Sequence, residues 1–165
     1  MHNERVKQGG REAETSGGDG ARCRRKAMDL LALRPHFRGE LEAKLAKRGF
    51  AAEDVTATSG WLEERGYLDD RDAARKLIRG ALERKGYGPR RMRAELSRRG
   101  VNEDIVTETL AEAWSRGENE RALEIARSRV AQRGFDRPKL ARYLEGKGYG
   151  AGAILGALEK LAEEG

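Results

Sequence analysis

The chain reads as an all-α protein, an array of three tandem three-helix repeats, and three observations predict this. An apolar residue, another four later and a Gly four after that recur in the same order, as Leu41-Leu45-Gly49, Met92-Leu96-Gly100 and Leu140-Leu144-Gly148. The copies lie 51 and then 48 residues apart, which is the signature of stacked helical units rather than of one globular core. No convincing strand run appears anywhere in the chain.

Each trio sets two apolar groups on one face of a short helix and ends it with a residue that tolerates the left-handed C-terminal conformation. A helix with spaced apolar positions precedes each trio: Ala27, Leu30 and Leu31; Ala74, Leu77 and Ile78; Ala122, Ile125 and Ala126. A further helical stretch follows each Gly, carrying Phe50, Val55 and Leu62, then Val101, Val106, Leu110 and Trp114, then Tyr149, Ile154, Leu158 and Leu161. Three helices per unit give about nine in all, each of ordinary length. Pro35 separates the first two helices, Pro89 after Gly88 suits a first helical turn, and Asp136 can cap the helix containing Pro138. The expected divisions are a disordered tail over 1–21 and repeats over 22–66, 67–115 and 116–165.

Composition agrees with small stacked units. Of 165 residues 38% are charged and only 5% aromatic, so the core must be thin and mostly aliphatic. Residues 1–21 are glycine-rich and almost without apolar groups, so they are expected not to offset the entropy of ordering. No signal-like or membrane-spanning run is evident, and Cys23 is the sole cysteine, so a cytoplasmic protein with no internal disulfide is expected.

Catalysis finds little support, and the chain is expected not to be an enzyme. Its histidines are His2, in the tail, and His36, expected as an exposed loop residue; neither offers a base for a Ser or Cys nucleophile. Lys85-Gly86-Tyr87-Gly88-Pro89-Arg90 lacks the Gly-Lys-Ser/Thr of a phosphate loop, and Pro89 removes an amide donor, so Gly86 and Gly88 read as turn residues. Asp69, Asp70 and Asp72 read as helix-start carboxylates rather than metal ligands. No metal and no cofactor are expected.

The charges are segregated. Residues 22–48, 75–99 and 121–147 carry net charges of +6, +8 and +5, whereas residues 49–72 and 101–120 each carry −5. The first two helices of every unit are thus basic and the third acidic, and stacking would align the basic helices into a stripe that attracts a phosphate backbone or an acidic protein groove. Its densest part holds Lys85, Arg90, Arg91, Arg93, Arg98 and Arg99, with Met92 and Leu96 turned inward. Tyr67, Tyr87, Tyr143 and Tyr149 are spread at joints, where packing is their expected role.

Three motifs in order resemble the RecX family, bacterial regulators of the recombinase RecA: Glu40-Leu41-x-x-Lys44-Leu45-x-x-x-Gly49, Gly66-Tyr67-Leu68-Asp69-Asp70 and Lys85-Gly86-Tyr87-Gly88-Pro89-Arg90-Arg91. The resemblance covers about residues 24–162. It implies an elongated, curved array of the three repeats that binds the RecA–DNA filament, suppresses ATP hydrolysis and strand exchange, and limits filament growth in recombination and DNA repair. The implied partners are the RecA filament and single- or double-stranded DNA within it, with no membrane, for a monomer. The alternative is a stand-alone, sequence-independent DNA-binding helical-repeat protein. On either reading Gly66, Tyr67, Leu68, Asp69 and Asp70, with Gly86, Tyr87, Gly88 and Pro89, serve structure or partner contact, and Asp69 or Asp70 is expected to cap the helix that follows.

The chain departs from the family pattern in three places. Phe37 stands where the family has a capping Ser, which should cost the first repeat about 1 kcal/mol unless Phe37 packs as a staple. Ala73 replaces a common aromatic. Gly146, Gly150, Gly152 and Gly156 make the last helix the one expected to fray.

Overall fold

The computed structural model describes the backbone of residues 11–164 and the side chains from residue 18 onward. Among these residues it is all-helical: α1 (Arg11–Leu33), α2 (Arg38–Ala46), α3 (Ala52–Glu64), α4 (Asp70–Lys85), α5 (Pro89–Arg98), α6 (Glu103–Ala113), α7 (Glu118–Arg133), α8 (Arg137–Lys147) and α9 (Ala151–Glu163). Two compact units divide the chain, Met1–Asp70 and Arg71–Gly165.

The apolar trios do what their spacing predicts. Leu41, Leu45, Met92, Leu96, Leu140 and Leu144 are all buried, and Gly49, Gly100 and Gly148 all have positive φ, at 85°, 75° and 93°. The same pair of bonds closes each helix. Each glycine N–H donates three residues back, to Ala46, Ser97 and Glu145, and the next residue donates five back, Phe50 to Leu45, Val101 to Leu96 and Tyr149 to Leu144. This is the Schellman arrangement, which satisfies carbonyls that a helix end otherwise leaves open.

In the first unit α1, α2 and α3 enclose Cys23, Ala27, Leu30, Leu41, Leu45, Val55, Leu62 and Leu68. Burial raises the pKa of the Cys23 thiol, which keeps it protonated and unreactive. Here the structure differs from the tail expected over 1–21. Residues 11–21 are helical, as the start of α1, while residues 1–10 lie outside the described residues. A Cβ on Gly20 would come within 3.2 Å of Asp54 Oδ1, so a glycine that reads as a sign of disorder instead lets α1 pass close to the first turn of α3.

The α1–α2 corner holds the second difference. His36 is only 5% exposed, not a solvent-facing loop residue. Its Nδ1 lies 2.8 Å from the Arg34 carbonyl and its Nε2 2.7 Å from Lys44 Nζ. A carbonyl only accepts and an ammonium only donates, so His36 is neutral with its proton on Nδ1. Burial is the main reason its pKa falls below the ordinary imidazole value.

In the second unit α5 packs on α6, and α7, α8 and α9 pack on one another, α7 most extensively on α9. Ala122 and Ala126 on α7 and Ala153 and Ala157 on α9 are buried in one cluster with Leu140, Leu144, Tyr149 and Leu158. Small residues allow this close approach. The glycine-heavy α9 is helical over Ala151–Glu163, and Gly152 and Gly156 lie away from the packed face with open space around them.

Candidate functional site

The Gly66-Tyr67-Leu68-Asp69-Asp70 segment closes the first unit. Gly66 takes φ 71° after α3, Leu68 is buried, and Asp69 is exposed just ahead of α4. Asp70, the first residue of α4, sends its carboxylate back to α2, where Oδ1 accepts the Arg38 N–H at 2.7 Å. The expectation that an aspartate here caps the following helix is corrected for Asp70, which reaches the start of α2 instead. It supplies the acceptor that Phe37 lacks. Phe37, 3% exposed, packs inward as a staple would, and the Glu40 carboxylate accepts the Phe37 N–H at 3.3 Å, the half of a capping box that an apolar residue can complete. Burial pushes the Asp70 carboxyl pKa up, against the Arg38 N–H bond that draws it down.

Tyr67 is 53% exposed. It stacks on Trp61 with centroids 6.1 Å apart, and Arg65 lies 4.5 Å over the Trp61 ring.

The segregated charges meet between neighbouring helices. Arg71 pairs with Glu108 at 2.6 Å and Arg75 with Glu112 at 2.8 Å, joining basic α4 to acidic α6. Arg93 on α5 pairs with Glu103 on α6, Arg38 with Glu63 between α2 and α3 at 2.8 Å, and Arg127 on α7 with Glu164 just past α9. Their hydrogen bonds to Arg75 and Arg127 hold the Glu112 and Glu164 carboxyls below the usual range. Opposite charges on adjacent helices thus give the segregation a use within each unit.

This changes the reading of the α5 arginines. Arg98 and Arg99 share Glu95, at 2.6 and 2.8 Å, and these bonds lower the Glu95 pKa. Arg93 is taken by Glu103. Arg90 is exposed, and its guanidinium has no hydrogen bond or ion pair among the described residues.

Lys85, Gly86, Tyr87, Gly88, Pro89 and Arg91 form a joint with the end of α8. Gly88 N–H donates to the Lys147 carbonyl at 2.8 Å and Arg90 N–H to that of Gly148 at 3.1 Å. Arg91 Nη1 donates to the Gly146 carbonyl at 2.8 Å and Lys147 Nζ to that of Lys85 at 2.6 Å. Backbone approaches so closely that a Cβ on Gly88 would lie 2.6 Å from the Gly148 oxygen, and one on Gly148 2.5 Å from Arg91 Cβ. Gly86, at φ 60°, lies against the Ile125 side chain, whose Cδ1 would be 2.6 Å from a Cβ there. Arg91 lies 4.0 Å over the Tyr87 ring, with Lys85 and Lys147 at 5.4 and 5.6 Å. Lys147 also lies 5.2 Å from the Tyr143 ring, and Arg129 lies 4.7 Å from it.

Sequence reasoning found the α4–α5 half of this joint and placed Tyr143 at a joint, but missed Arg129 and Lys147. The signal it passed over is Lys147 between Gly146, read only as helix weakness, and Gly148, read only as a helix end. Among the described residues no helix is long and apolar enough to cross a membrane.

Comparisons with known proteins agree with the helical architecture. Models of the first and second three-helix domains of RecX match residues 23–58 and 69–110. Regulatory protein RecX of Thermus thermophilus is 42% identical over 139 residues, covering 84% of this chain and 92% of that protein. Regulatory protein RecX of Mycolicibacterium vanbaalenii is 32% identical, covering 82% and 77%. The crystal structure of RecX from Lactobacillus salivarius superposes with TM-score 0.77 at 18% identity, over 88% of this chain and 98% of that one, and shares the fold. With the motifs, the three-helix domains and identity at this level over most of both chains, the protein belongs to the RecX family of regulatory proteins.

Proposed function

We propose that this chain regulates the recombinase RecA by binding the RecA–DNA filament and lowering its ATP hydrolysis, its extension and its strand exchange. The observation that carries this reading is the 42% identity to a regulatory protein RecX over 92% of that protein's length, together with all three motifs in order. In this reading the chain acts in the cytoplasm as a monomer without catalytic chemistry of its own, through three repeats over 22–66, 67–115 and 116–165. Several individually weak contacts along a filament add through effective concentration. Exposed Arg90 and the outer edges of the paired α5 arginines face the partner.

The test is ATP hydrolysis by the matching recombinase on single-stranded DNA with and without this chain, with filaments imaged in the same reaction. Inhibition with shortened filaments is expected; unchanged turnover at saturating chain overturns the reading. The alternative, stand-alone DNA binding, draws on the unpaired cations around Tyr87 and Tyr143. It requires that binding to naked DNA match binding to recombinase-coated DNA.

A further inference from the structure

A cleft of about 530 Å³ opens in the second unit between α4, the α6–α7 corner and the start of α7. Two bonds hold its sides. Arg75 pairs with Glu112 from α4 to α6, and Arg121 on α7 donates to the Leu82 carbonyl on α4 at 3.1 Å. The apolar part of the lining is Ile78, Leu82, Ala113 and Trp114. The Trp114 Nε1–H is buried without a hydrogen-bond partner among the described residues, and such a donor is costly to leave unmade. Around this apolar floor stand Arg79 and Glu83 on α4, with Arg116 at the α6–α7 corner and Glu120 on α7. All four are exposed, and among the described residues none is ion-paired. Arg79 and Glu83 stay apart although their spacing on one helix is that of a side-chain pair.

We propose that this cleft seats a polypeptide segment of the recombinase: one bulky apolar side chain enters between α4 and the α6–α7 corner, and flanking residues of both charges pair with the rim. The inference rests on the function proposed above and deepens it by naming where the protein component of the filament is held. Charge decides the class of partner. The lining carries four guanidiniums and four carboxylates, so a phosphate backbone meets as much repulsion as attraction there. A polypeptide bearing both signs finds a complement to each. An apolar pocket that contains a Trp and is ringed by polar groups is also where protein contacts concentrate their binding energy. A small turn of the Trp114 ring presents its N–H to a carbonyl of the seated segment, which supplies the missing acceptor.

The experiment uses the full chain, fluorescently labelled, and reads its anisotropy on recombinase filaments assembled on oligothymidylate, with the bare oligonucleotide as second probe. Ala113→Tyr, at an exposed position of the lining, fills the cleft. It is expected to weaken filament binding about tenfold at every salt concentration and to leave binding to the bare oligonucleotide unchanged. Arg79→Glu and Glu83→Arg, opposite in sign, are each expected to weaken filament binding about fivefold, with both losses shrinking as salt rises. Glu159→Arg, an exposed reversal on α9, controls for net charge and should change little. Melting temperatures of all variants are read alongside, and the two rim reversals carry the test if Ala113→Tyr melts early. In a parallel reaction a benzoylphenylalanine at rim position 116 is photoactivated within the filament, and its adduct is expected on a recombinase peptide.

Tighter filament binding by Glu83→Arg would assign the cleft to nucleic acid and overturn the proposal, as would an adduct on the oligonucleotide. Full binding by an Ala113→Tyr chain that melts normally overturns it too. The regulatory reading survives each of these results, because it stands on the parent chain; a parent that neither binds filaments nor slows their ATP hydrolysis overturns both.

Discussion

Asp70 Oδ1 accepts the backbone N–H of Arg38 at 2.7 Å, across 32 residues of chain. A helix whose N-cap is phenylalanine has no local side-chain acceptor for its first amides, and a carboxylate from the start of α4 provides one. Asp70→Ala is therefore expected to lower stability by about 1 kcal/mol, the usual cost of losing a cap. Asp70→Asn keeps an acceptor and sheds a buried charge. Since burial raises the Asp70 pKa, the folded state holds the proton more tightly than the unfolded chain, and stability falls as pH rises from the unfolded carboxyl value through the folded one. Asp70→Asn should remove that dependence and be neutral or slightly stabilising near pH 7. Chemical denaturation of both variants across the acid range checks this; equal losses would show that Asp70 caps nothing.

The contrast between Asp70 and the glycine trios shows what the sequence made legible. Periodicity and helix-ending glycines are local, so Leu41-Leu45-Gly49 and its two copies identify helices, faces and ends without any knowledge of packing. Asp70 also reads correctly as a cap, but the helix it serves is decided by how the end of α3 folds back, which no local pattern encodes. The charge blocks were visible as well. Their pairing as Arg71–Glu108 and Arg75–Glu112, 37 residues apart in each case, depends on which helices become neighbours. Half of the α4–α5 joint was legible from its glycines. The other half lies about sixty residues downstream at Gly148, whose left-handed helix end is legible in the sequence but whose close approach to Arg91 only tertiary structure assigns.

His36 gives the first unit a dependence on mild acid. Its lowered pKa means that the unfolded chain takes up the proton first as pH falls, so the stability it contributes is complete above the unfolded value and declines as pH drops below it. Protonation would also set an imidazolium 2.7 Å from the Lys44 ammonium. Melting temperature is expected to fall between neutral pH and about pH 5, and His36→Gln should flatten that decline. An identical decline in the variant would assign it to other groups.

The α4–α6 pairs are exposed at both ends, between 43% and 48% of their side-chain surface, so each should contribute no more than about 1 kcal/mol. A double-mutant cycle on Arg71 and Glu108 should return a coupling of that size that shrinks with added salt. Reversing Arg71 alone should cost little stability, and reversing both should restore it. Coupling well above this would mean that the charge blocks hold these helices together.

Tyr149 is 1% exposed, and its hydroxyl is buried in the core of α7, α8 and α9 without a hydrogen-bond partner among the described residues. Burial pushes its pKa up to about 12. An unsatisfied buried hydroxyl costs about 1–3 kcal/mol, and replacing it with an apolar isostere removes that cost. Tyr149→Phe is expected to be neutral or to raise the melting temperature; a clear loss of stability would show that the hydroxyl has a partner in solution.

Gly88 provides the sharpest test of the joint. Its φ is −89°, a value any residue adopts, so only space restricts it. An alanine Cβ would sit 2.6 Å from the Gly148 oxygen and 2.8 Å from the Tyr149 nitrogen, and both are backbone atoms that cannot swing away. The two chain segments must separate, loosening the bonds from Gly88 and Arg90 to Lys147 and Gly148. Overpacking of this kind costs about 1–3 kcal/mol. Hydrogen exchange should therefore speed up in Gly88→Ala at the start of α5 and the end of α8, while the Schellman glycines at Gly49 and Gly100 keep their protection. Gly60→Ala, on α3 with open space around it, should stabilise instead, since alanine favours a helix interior by about 1 kcal/mol. If Gly88→Ala is as well tolerated as Gly60→Ala, with protection unchanged at the joint, then the α4–α5 and α8–α9 connections are not locked together and the spacing of Tyr87 from Tyr143 is free to vary.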